Sequence, residues 1–260
     1  MTVSARDIIA YLCIQEEGDW DRIFQRIEMR DFPNPERIRE VLDKLDCKYV
    51  TAADPEYPAQ LRQIYKAPYC LFYYGDISLL DDHQNQIISI IGSRDYSEYG
   101  EMATRSLSTN LARDFVVVSG LARGIDAIAA ESVLSANGKT VAVLGSGVNI
   151  CYPQENLELY QMIKKHGLLI SEYPCDVQPS QDKFPMRNRI IAGLSRGILV
   201  TEAGIRSGTS ITVNLGLMSG KDIMCIPYPF GSSSTCNRLI KEGAFLVENA
   251  DDVRRYIGKY

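Results

Sequence analysis

The residues most able to do chemistry in this chain are arginines set beside glycine turns. Three turns stand out: Gly92-Ser93-Arg94, Gly120-Leu121-Ala122-Arg123-Gly124 and Gly145-Ser146-Gly147. A fourth segment, Lys183-Phe184-Pro185-Met186-Arg187-Asn188-Arg189, adds three cations and an aromatic ring, and Arg206 precedes Ser207-Gly208. Glycine lets backbone N–H groups approach a bound group closely. A helix that starts just beyond such a turn adds partial positive charge. Together these features suit an anion with several charges. Tyr152 and Phe184 offer flat faces on which an unpaired base can stack, although rings of this kind also serve as ordinary core residues. Arg187 and Arg189 admit a second reading, as partners of the strand-end carboxylates Glu172 and Glu202.

Catalytic groupings are thin. Ser119, Ser146 and Ser207 lie in glycine-containing turns, but no G-x-S-x-G elbow is present. His166 stands in Lys164-Lys165-His166-Gly167, a pattern that ends helices. Asp126 and Glu131 follow the second glycine turn, where Asp126 suits a helix start better than a substrate. Gly138-Lys139-Thr140 is like the end of a phosphate-binding P-loop, but Val133 stands where its first glycine belongs. Gly145-x-Gly147 lacks the third glycine of a dinucleotide fingerprint, since Ile150 occupies that place. No acid/base pair, cofactor or metal is expected, and with only His83 and His166 a histidine-based metal cluster is nearly excluded.

These turns need elements to hold them. Apolar, β-branched runs recur at 87–91, 115–119, 140–145, 168–172, 197–202 and 222–227, separated by helix-length segments. Near-continuous apolar runs fit strands buried on both faces of a parallel sheet. The alternation predicts a doubly wound, mostly parallel α/β sheet over residues 87–260. In such sheets ligands bind beyond the carboxyl ends of the strands, which is where the glycine turns fall. Residues 1–50 read as a small helical region, with apolar positions Ile8, Ile9, Leu12 and then Ile38, Val41, Leu42, Leu45, and with Pro35 placed to open the second helix. Residues 51–86 read as a connector that includes a short strand, Leu71-Phe72-Tyr73-Tyr74.

The formal net charge of −5 argues at first against a nucleic-acid partner. Its distribution answers that objection. Residues 1–86 hold 10 basic and 16 acidic side chains, whereas residues 87–260 hold 18 and 17. The acidity is local to the N-terminal part, leaving the rest free to carry a basic patch. No run approaches the roughly 18 apolar residues of a membrane span, and the start has no secretory pattern. A cytoplasmic location without membrane attachment is therefore expected. The seven cysteines form no C-x-x-C pair and are expected to be mostly small buried hydrophobes in a reducing compartment.

Taken together, the motifs resemble the DNA-processing protein A (DprA/Smf) family. The resemblance rests on Ile91-Gly92-Ser93-Arg94, Ser119-Gly120-Leu121-Ala122-Arg123-Gly124-Ile125-Asp126, Ala142-Val143-Leu144-Gly145-Ser146-Gly147 and Tyr152-Pro153-x-x-Asn156. It continues through Ser171-Glu172-Tyr173-Pro174, the stretch Phe184 to Leu194, Glu202-Ala203-x-x-x-Ser207-Gly208 and Cys236 to Ala244. It implies an extended Rossmann-like core that binds single-stranded DNA in a basic pocket, protects incoming strands during natural transformation and delivers them to the RecA recombinase. It also implies a homodimer formed through the C-terminal part of the core. The expected nucleic-acid-binding residues are Gly92, Ser93, Arg94, Gly120, Arg123, Gly124, Gly145, Tyr152, Lys183, Phe184, Arg187, Asn188, Arg189, Ser207 and Gly208. The chain departs from the family pattern at Ala130, where a histidine is usual, and at Gln154, where some members have lysine. Two alternatives stay open: a phosphoribohydrolase-like nucleotide hydrolase on a similar scaffold, and a divergent member acting as a protein-interaction module.

Overall fold

The structure, a computed structural model, describes residues 3–81, 86–204, 208–232 and 234–258. Its first part comprises α1 (Ala5–Gln15), α2 (Trp20–Glu28), α3 (Pro35–Leu42), β1 (Lys48–Thr51) and β2 (Cys70–Gly75). Strands and helices then alternate: β3 (Ile87–Gly92), α4 (Glu98–Leu111), β4 (Val116–Ser119), α5 (Ile125–Ser135), β5 (Lys139–Val143) and α6 (Leu157–His166). The alternation continues with β6 (Leu168–Ser171), α7 (Lys183–Leu194), β7 (Gly197–Glu202), α8 (Gly208–Met218) and β8 (Asp222–Cys225). Last come α9 (Thr235–Lys241), β9 (Phe245–Leu246) and α10 (Ala250–Ile257).

The nine strands of the described residues join one sheet in the order β1-β2-β6-β5-β4-β3-β7-β8-β9. From β6 to β9 every pairing is parallel, and β2 joins β6 antiparallel, as β1 joins β2. The six apolar runs are the six central strands. β1 straddles the boundary drawn after residue 50, and the connector's strand is β2, so the sheet runs on past residue 86 into the N-terminal part.

The strands are apolar on both sides because both faces are covered. Ile87 and Ile91 face one layer with Ile190, Ile191 and Leu194 of α7, while Ile88 and Ile90 face the other with Leu107 and Leu111 of α4 and Val133 of α5. This is the period-two alternation of a strand. Ser89, buried on the α7 side, gives its hydroxyl to the Ile191 carbonyl at 3.0 Å and so satisfies itself. The N-terminal helices share a third cluster with the sheet, in which Leu12, Ile23 and Ile38 meet Phe72, Leu144 and Leu169. Pro35 opens α3 as expected, with the Asn34 side chain accepting the Arg37 N–H.

The cysteines need one correction. Cys47, just before β1, and Cys175, just after β6, are joined in a disulfide across 128 residues, while Cys13, Cys70, Cys151, Cys225 and Cys236 are free and buried. Spacing along the chain carries no trace of a pairing made by tertiary placement. Among the described residues no helix is long and apolar enough to cross a membrane.

Gly75 marks the junction of the antiparallel strands with the parallel core. Its φ is +102°, and an added Cβ would lie 2.2 Å from the Gly167 carbonyl oxygen. Gly→Ala at a compatible site stabilises by about 0.4–1 kcal/mol. Gly75→Ala is expected to reverse that sign and lower the urea midpoint.

Candidate nucleic-acid interface

The sheet order places the first glycine turn at a special point. From β3 the chain winds one way through β4, β5 and β6, then returns to lay β7 and β8 on the other side. Ligands of doubly wound proteins sit at the carboxyl ends of the strands where the winding reverses. Gly92-Ser93-Arg94 emerges from β3 at that position.

Two cavities meet there. The smaller, about 310 Å³, is lined by Arg94, Gly120, Ala122, Arg123, Gly145, Tyr152, Pro153, Glu155, Phe184 and Arg187. The larger, about 550 Å³, shares Arg94, Ala122, Tyr152, Phe184 and Arg187 and adds Gly92, Ser93, Asn188, Gly208 and Thr209 among others. The shared residues form a partition within one trough.

Arg187 is the most buried cation lining the trough, 5% exposed. Its Nη1 donates to the Gly120 carbonyl at 2.7 Å and to the Val143 carbonyl, and its Nε donates to Asn188 Oδ1 at 3.1 Å. Burial pushes this guanidinium down to about 10, against the pull of the Asp126 carboxylate. Gly120 has to be glycine here, because a Cβ would stand 2.5 Å from the guanidinium. Asp126, at the start of α5, accepts the Gly120 N–H at 2.9 Å, with the N–H groups of Ala122 and Gly92 nearby and favouring its charged form. Burial raises the Asp126 pKa, while Arg187 and these N–H groups oppose the rise. The expectation that the Gly120 N–H faces a ligand is thereby corrected: a buried carboxylate has taken it.

The rim is different. Arg94 is exposed and has no carboxylate partner among the described residues; its guanidinium carbon lies 5.9 Å from the centre of the Phe184 ring. The Tyr152 and Phe184 rings stack with centroids 5.4 Å apart and planes 29° from parallel. Arg123 is held by Asp95 at 2.7 Å, but both groups are in water. Such a pair is worth under about 1 kcal/mol, so a phosphate can compete for the guanidinium. Gly124 begins α5 and packs the second turn on the first, with the Ile125 N–H donating to the Ser93 carbonyl at 3.1 Å.

Other expected residues stand elsewhere. Lys183 lines neither cavity: its ammonium donates to Ser180 Oγ at 2.8 Å and lies 5.6 Å from the Tyr173 ring centre. Arg189 is 3% exposed and meets Glu172 through two hydrogen bonds of 2.8 and 2.6 Å, with its Nε on the Lys66 carbonyl. It is corrected to a buried structural cation, in line with the second reading of the sequence. Glu202 instead accepts the Ser97 N–H at 2.9 Å at the start of α4. Ser207 and Arg206 lie outside the described residues, whereas Gly208 lines the larger cavity. Sequence reasoning missed Ala122, Pro153, Glu155 and Thr209. Pro153 and Glu155 sit inside the Tyr-Pro-x-x-Asn motif, and their proximity to Tyr152 was the available signal.

Fold and trough define a doubly wound α/β protein with a switch-point cleft lined by guanidinium groups and stacked rings. Residues 48–258 match the family model of DNA recombination-mediator protein A, and the chain belongs to that family. It is 42% identical over 202 residues to the DNA processing protein DprA of Streptococcus pneumoniae, covering 77% of this chain and 71% of that protein. It is 36% identical over 248 residues to the Smf protein of a Synechocystis species, covering 93% of this chain but only 62% of that protein. The solved structure of the Streptococcus pneumoniae protein superposes with a TM-score of 0.79 at 37% identity, covering 90% of this chain and 80% of that one. A structure of DNA processing protein A from Helicobacter pylori, solved to explain its single-stranded DNA binding mode, superposes with a TM-score of 0.73 at 29% identity, covering 82% and 96%.

Removing one member of a buried ion pair leaves an uncompensated charge and costs about 3–5 kcal/mol. Glu172→Ala is expected to lose stability of that order in urea denaturation, because Arg189 then stays buried without its carboxylate.

Proposed function

We propose that the trough binds single-stranded DNA. The observation that carries this reading is the meeting of an exposed guanidinium, Arg94, which has no carboxylate partner among the described residues, with a solvent-accessible pair of stacked rings and the buried Arg187 in one cavity. Phosphates suit the arginines, and rings suit bases that have no partner strand. Duplex DNA hides its base faces and gains nothing from Tyr152 and Phe184. The Helicobacter pylori relative, whose structure addresses a single-stranded DNA binding mode, supports the reading.

The family resemblance extends the proposal. In the cell the protein protects incoming strands during natural transformation and hands them to the RecA recombinase, as a cytoplasmic homodimer joined through the C-terminal part of the core. We assign it no catalytic step. The acidic N-terminal part keeps strands off that face and leaves the trough as the place of attraction.

Arg94→Ala is expected to weaken binding to all oligonucleotide sequences alike. The slope of log affinity against log salt should shrink by about 0.7 for each phosphate that the protein no longer neutralises. Unchanged affinity and slope in a mobility-shift titration would remove Arg94 from the interface. Phe184→Ala is expected to cost about 1–3 kcal/mol, the worth of one stacked base, with an unchanged salt slope.

The whole reading is tested by titrating the protein with single-stranded oligonucleotide, duplex and free nucleotides at several salt concentrations. Preference for the single strand with steep salt dependence is expected. Equal or tighter duplex binding overturns the proposal, and release of base from nucleoside monophosphates points to a hydrolase. Retained recombinase binding without strand binding points to an interaction module.

A further inference from the structure

Away from the trough, the segments Asp46-Cys47 and Cys175-Asp176 converge on Asn149. The Asn149 amide donates to both Asp46 oxygens, at 3.2 and 3.0 Å, and to Asp176 Oδ1 at 2.9 Å, while its own oxygen accepts the Tyr74 hydroxyl at 2.7 Å. Its backbone N–H donates to the Cys175 carbonyl at 2.8 Å. Two carboxylates gathered on one neutral amide make this corner locally negative, which favours a cation close by. The Asp46 carboxylate and the Cys47 and Cys175 sulfurs lie within 4.8 Å of one another, and among the described residues no other three histidine, cysteine or acidic side chains gather so closely.

We propose that Cys47, Cys175 and Asp46 form a redox-gated site for a thiophilic divalent cation, with zinc as the type. The site is closed while the sulfurs are joined and opens when they are reduced. The two Cα atoms are 6.7 Å apart, near the upper end of the roughly 4.4–6.8 Å span that a disulfide allows. Once the bond opens, the sulfurs can stand on either side of an ion without the backbones drawing closer. Zinc–sulfur bonds of about 2.3 Å at tetrahedral angles set thiolates about 3.8 Å apart. Asp46 then supplies an oxygen, and water completes four ligands. Asn149, which bonds both Asp46 oxygens, would release one to the ion and hold the other, as partners of metal ligands commonly do. Two thiolates select zinc over magnesium or calcium.

Gating balances as follows. Two molecules of a low-molecular-weight thiol give up two electrons and two protons, become a disulfide and leave Cys47 and Cys175 as thiols. Zinc then displaces the two thiol protons. Both the disulfide and the zinc form fasten the segment before β1 to the loop that leads toward α7. Only the reduced, metal-free form releases it. The proposal does not depend on strand binding.

The test uses the full chain, reduced anaerobically with a phosphine, which water converts to its oxide as the disulfide opens. Thiols counted after denaturation should rise from five to seven. One equivalent of zinc is added, the protein is desalted, and bound metal is read with a chromophoric chelator. Cobalt added in place of zinc is read by absorbance. Reduced protein is expected to retain about one zinc per chain and to give a thiolate-to-cobalt band with tetrahedral visible bands. Cys47→Ser and Cys175→Ser should bind at least about tenfold more weakly, and Asp46→Asn more weakly than the parent by about tenfold. Cys225→Ser, on β8 at the opposite flank of the sheet, should retain zinc in full. Reduced seven-thiol protein that leaves desalting without metal would overturn the site. So would equal retention by the Cys47 and Cys175 variants, or a thiol count that stays at five under the phosphine.

Discussion

One buried carboxylate sets the geometry of the trough. Asp126 accepts the Gly120 N–H from the turn after β4, and the Arg187 guanidinium on α7 with the N–H groups of Ala122 and Gly92 favours its charged form. Burial favours its neutral form and is the larger effect, raising the pKa, while the cation and the N–H groups oppose the rise. Arg187 is fixed in turn by the Gly120 and Val143 carbonyls and by Asn188. The Gly120 turn is thus bonded to both groups, its N–H to Asp126 and its carbonyl to Arg187. That amide is given to Asp126 and not to a ligand, and it helps to keep Arg187 in place.

This division separates a buried tier from a wet one. Asp126, Arg187 and Asn188 are desolvated before any ligand arrives, so their ordering is already complete. Arg94, Arg123 and Tyr152 stand in water and are free to adjust. A rigid floor with an adjustable rim suits a partner whose backbone is itself flexible, because only the rim has to find the partner's conformation.

Much of this was legible in the sequence, for physical reasons. The apolar runs of the central strands announce a sheet covered on both faces, and Arg94 and Phe184 sit in segments whose glycines and cations mark a strand end. What stayed hidden depends on distance in the fold. Arg187 and Arg189 differ by two positions on α7 and point to different worlds, one to the trough and one to Glu172; nothing in their spacing says which. Lys183 reads as a pocket cation but turns to Ser180. β1 and β9 are too short to leave a period, and the Cys47–Cys175 link spans half the chain.

The two outermost strands of the sheet are short: β1 has four residues and β9 has two. An unpaired strand edge is a template for further strands, and its reach grows with its length. Here the ladder tapers at both flanks, so a neighbouring molecule finds too few free amides and carbonyls to extend it. The flanks of the sheet therefore offer little purchase for strand addition by another molecule.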